Sequence, residues 1–92
     1  MPEVTLNDGT TLIASAKSSG DTLRIWIRSE NDPFNSVEGL RDLLSIPGIT
    51  EKIVYKFEGE TTTFSGFTHL ASVKMSDGVH VSATLTREAE NV

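Results

Sequence analysis

The sequence contains no cysteine, and this absence removes several kinds of chemistry at once. Disulfide cross-links, zinc sites built on thiolates, iron–sulfur clusters and cysteine nucleophiles all require a side chain that the chain does not have. Phosphate-binding loops are missing as well, because the spacing of the seven glycines matches neither a P-loop nor a dinucleotide-binding motif. We therefore expect the protein to bind no cofactor.

Long apolar runs and an excess of positive charge are also missing. No stretch approaches the roughly 20 apolar residues that span a bilayer, and residues 1–4 do not begin a signal peptide. Thirteen acidic residues oppose eight basic ones, and the net charge of −5 disfavours generic binding to nucleic acids and to anionic membranes. These features predict an intracellular, cytoplasmic protein, or one exported by lysis or assembly rather than by a signal, with neither nucleic acid nor membrane as its partner.

The chain of 92 residues suffices for one small domain with one core. We expect residues 1–86 to form this domain and residues 87–92 to be a frayed tail, because the tail has no apolar period. The pattern predicts the order β-β-β-α-β-β-β and an α+β fold. Its strands form an antiparallel sheet or a small open barrel or roll, with the single helix packed on the sheet. It does not decide between one sheet and two.

Alternating apolar residues predict two sets of three strands. In the first half, a two-residue loop at residues 19–20 would pair Ala16 with Leu23, Ala14 with Ile25 and Leu12 with Ile27. All six side chains would then lie on one face of the sheet. In the second half, a loop at residues 59–60 would pair Tyr55 with Phe64. The segment 61–75 is too long for one regular strand, and we expect a bend near residues 65–66. A turn at residues 76–78 would place His80 opposite Lys74 and His69 opposite Leu85.

One helix is predicted between the two sets of strands. Apolar residues recur at a spacing of three to four, in the series Phe34, Val37, Leu40 and Leu44. Two starts remain open: Asp32 as the cap, or Asn35 as the cap of a box closed by Glu38. Residues 46–48 (IPG) end the helix.

No constellation of residues predicts catalysis or metal binding. The two histidines, His69 and His80, are not cross-strand neighbours in the expected register. Asp77 precedes His80 by three residues, but turn chemistry alone accounts for an aspartate at that position. The oxygen-rich segment 30–35 lacks the ligand spacing of a calcium loop and contains residues that cap helices. We expect a protein that is not an enzyme.

The most informative surface of the sequence is the series Arg24, Trp26 and Arg28. Alternation along the strand puts these three side chains on one face, opposite the expected core. Tryptophan and arginine are the residue types most enriched at interface hot spots, so this face predicts an interaction surface. The other interpretation is a second buried face, in which Ile13 packs on Trp26. The run of threonines at residues 61–63 is typical of an exposed edge strand that can pair with another chain.

A second hypothesis is a module that binds a small ligand. Its cleft would lie between the helix and the sheet, edged by Tyr55, Phe64, Phe67 and His69. The same aromatic residues are also what a small core requires, and they predict a core as readily as a cleft.

Four segments carry a resemblance to a known group of proteins: residues 6–10 (LNDGT), 55–62 (YKFEGETT), 64–70 (FSGFTHL) and 79–85. Together they resemble small proteins encoded among the structural genes of phages and prophages of gut bacteria. The resemblance implies a component of the virion, in the tail or baseplate region, and carries over no functional residue. The leading hypothesis is therefore a non-enzymatic structural or protein-interaction module, with a protein partner or self-association.

Overall fold

The computed structural model describes residues 1–87 and shows two four-stranded antiparallel sheets with one helix. This arrangement confirms the α+β class, in two open sheets rather than one sheet or a closed barrel. No helix within residues 1–87 is long and apolar enough to cross a membrane. Residues 88–92 of the expected tail lie outside the described part. The elements are β1 (Glu3–Thr5), β2 (Thr11–Leu12), β3 (Ala14–Ser19), β4 (Thr22–Ile27), α1 (Val37–Leu44), β5 (Lys52–Phe57), β6 (Glu60–Ser65), β7 (His69–Met75) and β8 (Val81–Thr86).

The first sheet has the strand order β2-β1-β5-β6 and the second has the order β3-β4-β8-β7. Their apolar faces and the helix share one cluster of buried side chains, so a single core holds the domain together. Its fully buried members are Val4, Leu12, Ala14, Leu23, Ile25, Ile27, Leu40, Ile53, Phe67, Val81, Ala83 and Leu85.

Two of the six expected strands each divide into two. The segment 10–17 divides at Ile13, whose backbone N–H donates to a carboxylate oxygen of Asp32 at 2.9 Å instead of to a neighbouring strand. The chain leaves the first sheet there and enters the second. The segment 61–75 divides at the expected bend. Gly66 has a φ of +86° there, a backbone angle that residues with a Cβ atom rarely adopt.

The helix begins at neither of the two expected caps. Ser36 is the N-cap, and its hydroxyl oxygen accepts from the backbone N–H of Gly39 at 2.9 Å. Asp32 is instead bonded to the N–H groups of Ile13 and Phe34. Asn35 accepts from the N–H of Val81, at the start of β8. Both side chains therefore fix the segment before the helix to the rest of the fold.

The register of two hairpins differs from the expected one by two residues. Ala16 pairs with Ile25 instead of Leu23, because the loop is at residues 20–21. Tyr55 pairs with Thr62 instead of Phe64. The loop between β5 and β6 is Glu58–Gly59, with φ values of 52° and 82°, and positive φ at both positions is the signature of a type I′ turn.

The hairpin of β7 and β8 also differs from expectation. Met75 pairs with Val81, so residues 76–80 form a five-residue loop and His80 does not lie opposite Lys74. His69 pairs with Thr86 rather than Leu85, because the longer loop moves the pairing by two residues and the register shift between Leu70 and Ser72 reverses one of them. The longer loop moves His80 out of the sheet.

Candidate functional site

Strand β4 divides its side chains between two environments. Leu23, Ile25 and Ile27 are fully buried in the core. Arg24 and Trp26 alternate with them and lie on the outer face of the second sheet, where Arg24 is exposed and Trp26 is half-buried. The guanidinium group of Arg24 lies 5.4 Å from the centre of the Trp26 ring, within the range of a cation–π contact.

A depression of about 420 Å³ opens beside these residues. Arg24, Trp26 and Arg28 line one side of it, and Arg28 is exposed just beyond the end of β4. The loop between β7 and β8 supplies the other side through Asp77 and His80. The structure therefore brings the expected interaction residues together with Asp77, from the expected turn, and with His80, which the sequence pattern had placed in a strand.

Asp77 orders this loop through three hydrogen bonds. Its Oδ1 atom accepts from the backbone N–H groups of Val79 at 2.9 Å and His80 at 2.7 Å, and its Oδ2 atom lies 2.9 Å from Nδ1 of His80. The His80 side chain, followed by the N–H groups of His80 and Val79, holds the pKa of the Asp77 carboxyl well below its usual range.

The tautomer of His80 follows from this contact. An ionised carboxylate only accepts hydrogen bonds, so Nδ1 of His80 must carry the proton and donate it to Asp77. The other ring nitrogen then has no proton when the ring is neutral. The hydroxyl group of Ser76, in the same loop, donates to the backbone carbonyl oxygen of His80 at 3.1 Å and not to the imidazole ring. The arrangement offers hydrogen-bonding and cationic groups to a ligand.

The low pKa of Asp77 gives a prediction for titration. When the pH is lowered through the ordinary aspartate value of 3.8, Asp77 should remain ionised, as followed by carboxyl carbon NMR. Because the pKa of Asp77 is lower in the folded protein than in the unfolded chain, its hydrogen bonds stabilise the loop at pH values above 3.8. This stabilisation is lost as the pH falls through the folded pKa. The substitution His80→Gln should raise the titration midpoint of Asp77, although the two backbone donors should keep that midpoint below 3.8.

The other histidine provides the control for this titration. His69→Gln should leave the midpoint of Asp77 unchanged, since His69 lies on β7, outside the loop. If both glutamine variants shift the midpoint equally, the contact between His80 and Asp77 is not its cause.

The only charged side chains in the strands of the second sheet, apart from histidine, are lysines and arginines. None of its four strands contains an aspartate or a glutamate. Lys17 lies directly opposite Arg24, and Lys74 lies two strands from Trp26, with Ser82 on the strand between them. Like charges at opposed positions of a sheet destabilise it, so packing does not account for the pair of Lys17 and Arg24. We refer to Lys17, Arg24, Trp26, Arg28 and Lys74 as the cationic face.

No family model, curated protein or solved structure matches this chain. The function has to be inferred from the residues themselves.

The four residues expected to edge a cleft between helix and sheet do not line one common cleft. They are Tyr55, Phe64, Phe67 and His69. Phe67 is 1% exposed and belongs to the core. Its ring and the ring of Phe64 pack in a T-shaped arrangement, with the ring centres 6.3 Å apart. Tyr55 is half-buried against the same core. Only His69 of the four lines a depression of about 310 Å³, between the end of the helix and the start of β7.

The oxygen-rich segment before the helix forms bonds with the protein itself. Both carboxylate oxygens of Asp32 accept from backbone N–H groups, and the side chain of Asn35 bonds to Val79 and Val81. Within residues 1–87, no group of three or more potential ligands is placed to hold a metal ion.

Proposed function

We propose that this protein is a non-enzymatic structural or interaction module, and that it binds a protein partner through Arg24, Trp26 and Arg28. The position of Trp26 carries this proposal. The single tryptophan of the chain lies half-buried beside a depression on the outer face of a sheet, and not in the core. A large aromatic ring flanked by arginines, desolvated on one side only, is typical of interface hot spots.

The charges of the site indicate the chemistry of the partner. Arg24 and Arg28 favour carboxylates, which guanidinium groups can bind through two hydrogen bonds. The nearby Asp77 is already engaged with His80 and two backbone donors. The ring of Trp26 favours an apolar or aromatic side chain. A partner segment that combines acidic and aromatic residues satisfies both requirements.

A protein fits this site better than a nucleic acid does. A net charge of −5 repels a long polyanion, whereas an acidic peptide segment brings only a few charges. The resemblance to structural proteins of phages and prophages supports a virion or tail-region component. The site of action would then be the cytoplasm during assembly and the virion afterwards.

The fluorescence of Trp26 provides a direct test, because the chain has no other tryptophan. The probe is a synthetic peptide of alternating glutamate and phenylalanine, titrated at low salt. Its binding should shift the emission and saturate. Replacing both arginines, Arg24→Gln with Arg28→Gln, should weaken the affinity about tenfold or more, as expected for hot-spot residues.

A matched control removes the same charge from the other sheet. Lys52→Gln with Lys56→Gln changes two exposed residues of β5 and should leave the affinity nearly unchanged. A peptide with glutamine in place of glutamate should bind weakly to every form of the protein. If the two double variants lose affinity equally, net charge alone drives binding and the cationic face has no specific role.

A further inference from the structure

A second exposed surface lies at the end of the hairpin formed by β5 and β6. Every residue from 56 to 63 is exposed. Phe57 is 42% exposed although it is a large aromatic residue, and the ring of Tyr55 stacks beside it with the ring centres 6.4 Å apart. A two-stranded ribbon contributes little to a core, so the end of this hairpin is free to contact another molecule.

This hairpin end carries acidic residues around its aromatic ring. Glu58 follows Phe57 in the turn, and Glu60 is the cross-strand partner of Phe57. Glu3 lies with them around a depression of about 580 Å³, where Lys56 and the amino-terminal Met1 are the cationic neighbours. We refer to Glu3, Phe57, Glu58 and Glu60 as the acidic tip.

The acidic tip and the cationic face are complementary in charge and in chemistry. The tip offers two carboxylate residues that neighbour an exposed phenyl ring, one next along the chain and one across the hairpin, and the face offers an arginine two residues before and another two residues after a half-buried tryptophan. They belong to different sheets and share no residue, and both are exposed, so neither satisfies the other within one molecule. This is the combination of acidic and aromatic residues that the site on β4 favours.

We propose that the acidic tip of one copy docks on the cationic face of a second copy. This proposal rests on the proposed function, because it names the partner of the same surface. Phe57 of the first copy would pack against Trp26, and Glu58 and Glu60 would bind the guanidinium groups of Arg24 and Arg28. The contact joins two different surfaces, so a pair of molecules joined by one such contact retains one free tip and one free face.

Such head-to-tail contacts continue from copy to copy. They form a closed ring if the rotation between copies closes, and a filament if it does not. The charge pairs are exposed at their rims and screened by salt, so association should weaken as the ionic strength rises. The positive charge on the second sheet, including the unfavourable pair of Lys17 and Arg24, is then neutralised by the next copy.

Two complementary variants test this contact. The face variant combines Arg24→Gln, Trp26→Phe and Arg28→Gln, and keeps its tip. The tip variant combines Phe57→Thr, Glu58→Asn and Glu60→Gln, and keeps its face. Asparagine tolerates the positive φ of residue 58, and threonine suits a strand, so the turn and the hairpin are preserved.

The masses of the complexes, measured by light scattering across protein concentration, should follow a distinct pattern. The wild-type protein should grow beyond a dimer, because every added copy provides a new tip and a new face, unless two copies close a ring by using both contacts at once. Each variant alone should remain at the monomer mass of 10.0 kDa. An equimolar mixture of the two variants should stop at a dimer, since only one intact tip can meet one intact face. The mixture contains a single tryptophan, on the intact face, and its emission should shift as the dimer forms.

Three outcomes would overturn the head-to-tail contact. The first is a wild-type protein that stays monomeric at low salt, with a variant mixture that also stays monomeric. The second is association of either variant alone, which would assign self-association to another surface such as the open edge of β6. The third is a wild-type dimer that does not grow while the mixture of the two variants stays monomeric, because such a dimer does not use the tip and the face. If the acidic peptide still binds the cationic face in the first case, the proposed function stands and the partner is another protein.

Discussion

Replacing Phe67 with alanine should lower the free energy of unfolding by about 3–5 kcal/mol, the usual cost of emptying the site of a buried phenylalanine. Phe67 is 1% exposed, with the edge of the Phe64 ring on one side and the guanidinium group of Arg87 at 4.2 Å from its ring centre. Small domains have about 5–15 kcal/mol of stability in total, so this variant should lose a large part of it. Urea denaturation followed by circular dichroism measures the change.

Phe57→Ala is the matched control for this substitution. The same side chain is removed from a position that is 42% exposed, and the expected loss is about 1 kcal/mol or less. The comparison also tests the hypothesis of a ligand cleft lined by aromatic residues. If both variants lose the same small amount, Phe67 does not hold the core together, and a role in binding a ligand becomes the better explanation of that residue.

The faces of the strands follow from alternation in the sequence. Ala14, Ala16, Ile25 and Ile27 were predicted to share the core face, and the structure buries all four. The cross-strand partners could not be predicted in the same way, because a register shift of two residues leaves every side chain on the same face of the sheet. Alternation therefore predicts which residues are buried and does not predict which residues face each other.

Turn geometry decides the register, and it depends on backbone angles that a single sequence does not specify. Glu58 adopts a φ of +52° at a position where asparagine or glycine is usual. The sequence pattern accordingly favoured a turn one residue later, with glycine at its first position. The same difficulty placed His80 in a strand, although it lies in a five-residue loop beside Asp77.

Half of the candidate site was predictable, and the other half depends on tertiary contacts. The shared face of Arg24, Trp26 and Arg28 follows from the period of a strand. The neighbourhood of His80 requires the longer loop, and the positions of Lys17 and Lys74 across the sheet require the correct register. A signal was present in the sequence, because the segments that form the second sheet contain no acidic residue in an acidic chain.

Replacing Trp26 with alanine should separate binding from folding. The ring is half-buried on the outer face, so its loss should cost about 1 kcal/mol of stability, the typical effect of a single substitution. Affinity for the acidic peptide should fall much more, by about 2 kcal/mol or roughly thirtyfold, because a central tryptophan is the strongest kind of hot spot. Calorimetry measures the affinity, since the variant has no tryptophan to follow by fluorescence.

The neighbouring residue of the same strand provides the opposite case. Ile25 is fully buried on the core face, and Ile25→Ala should cost about 2–5 kcal/mol of stability while leaving the binding face intact in the molecules that remain folded. If Trp26→Ala instead destabilises the protein as much as Ile25→Ala and leaves the affinity unchanged, Trp26 serves a second buried face with Ile13. The pair of variants thus decides whether the outer face of β4 exists for a partner or for the fold.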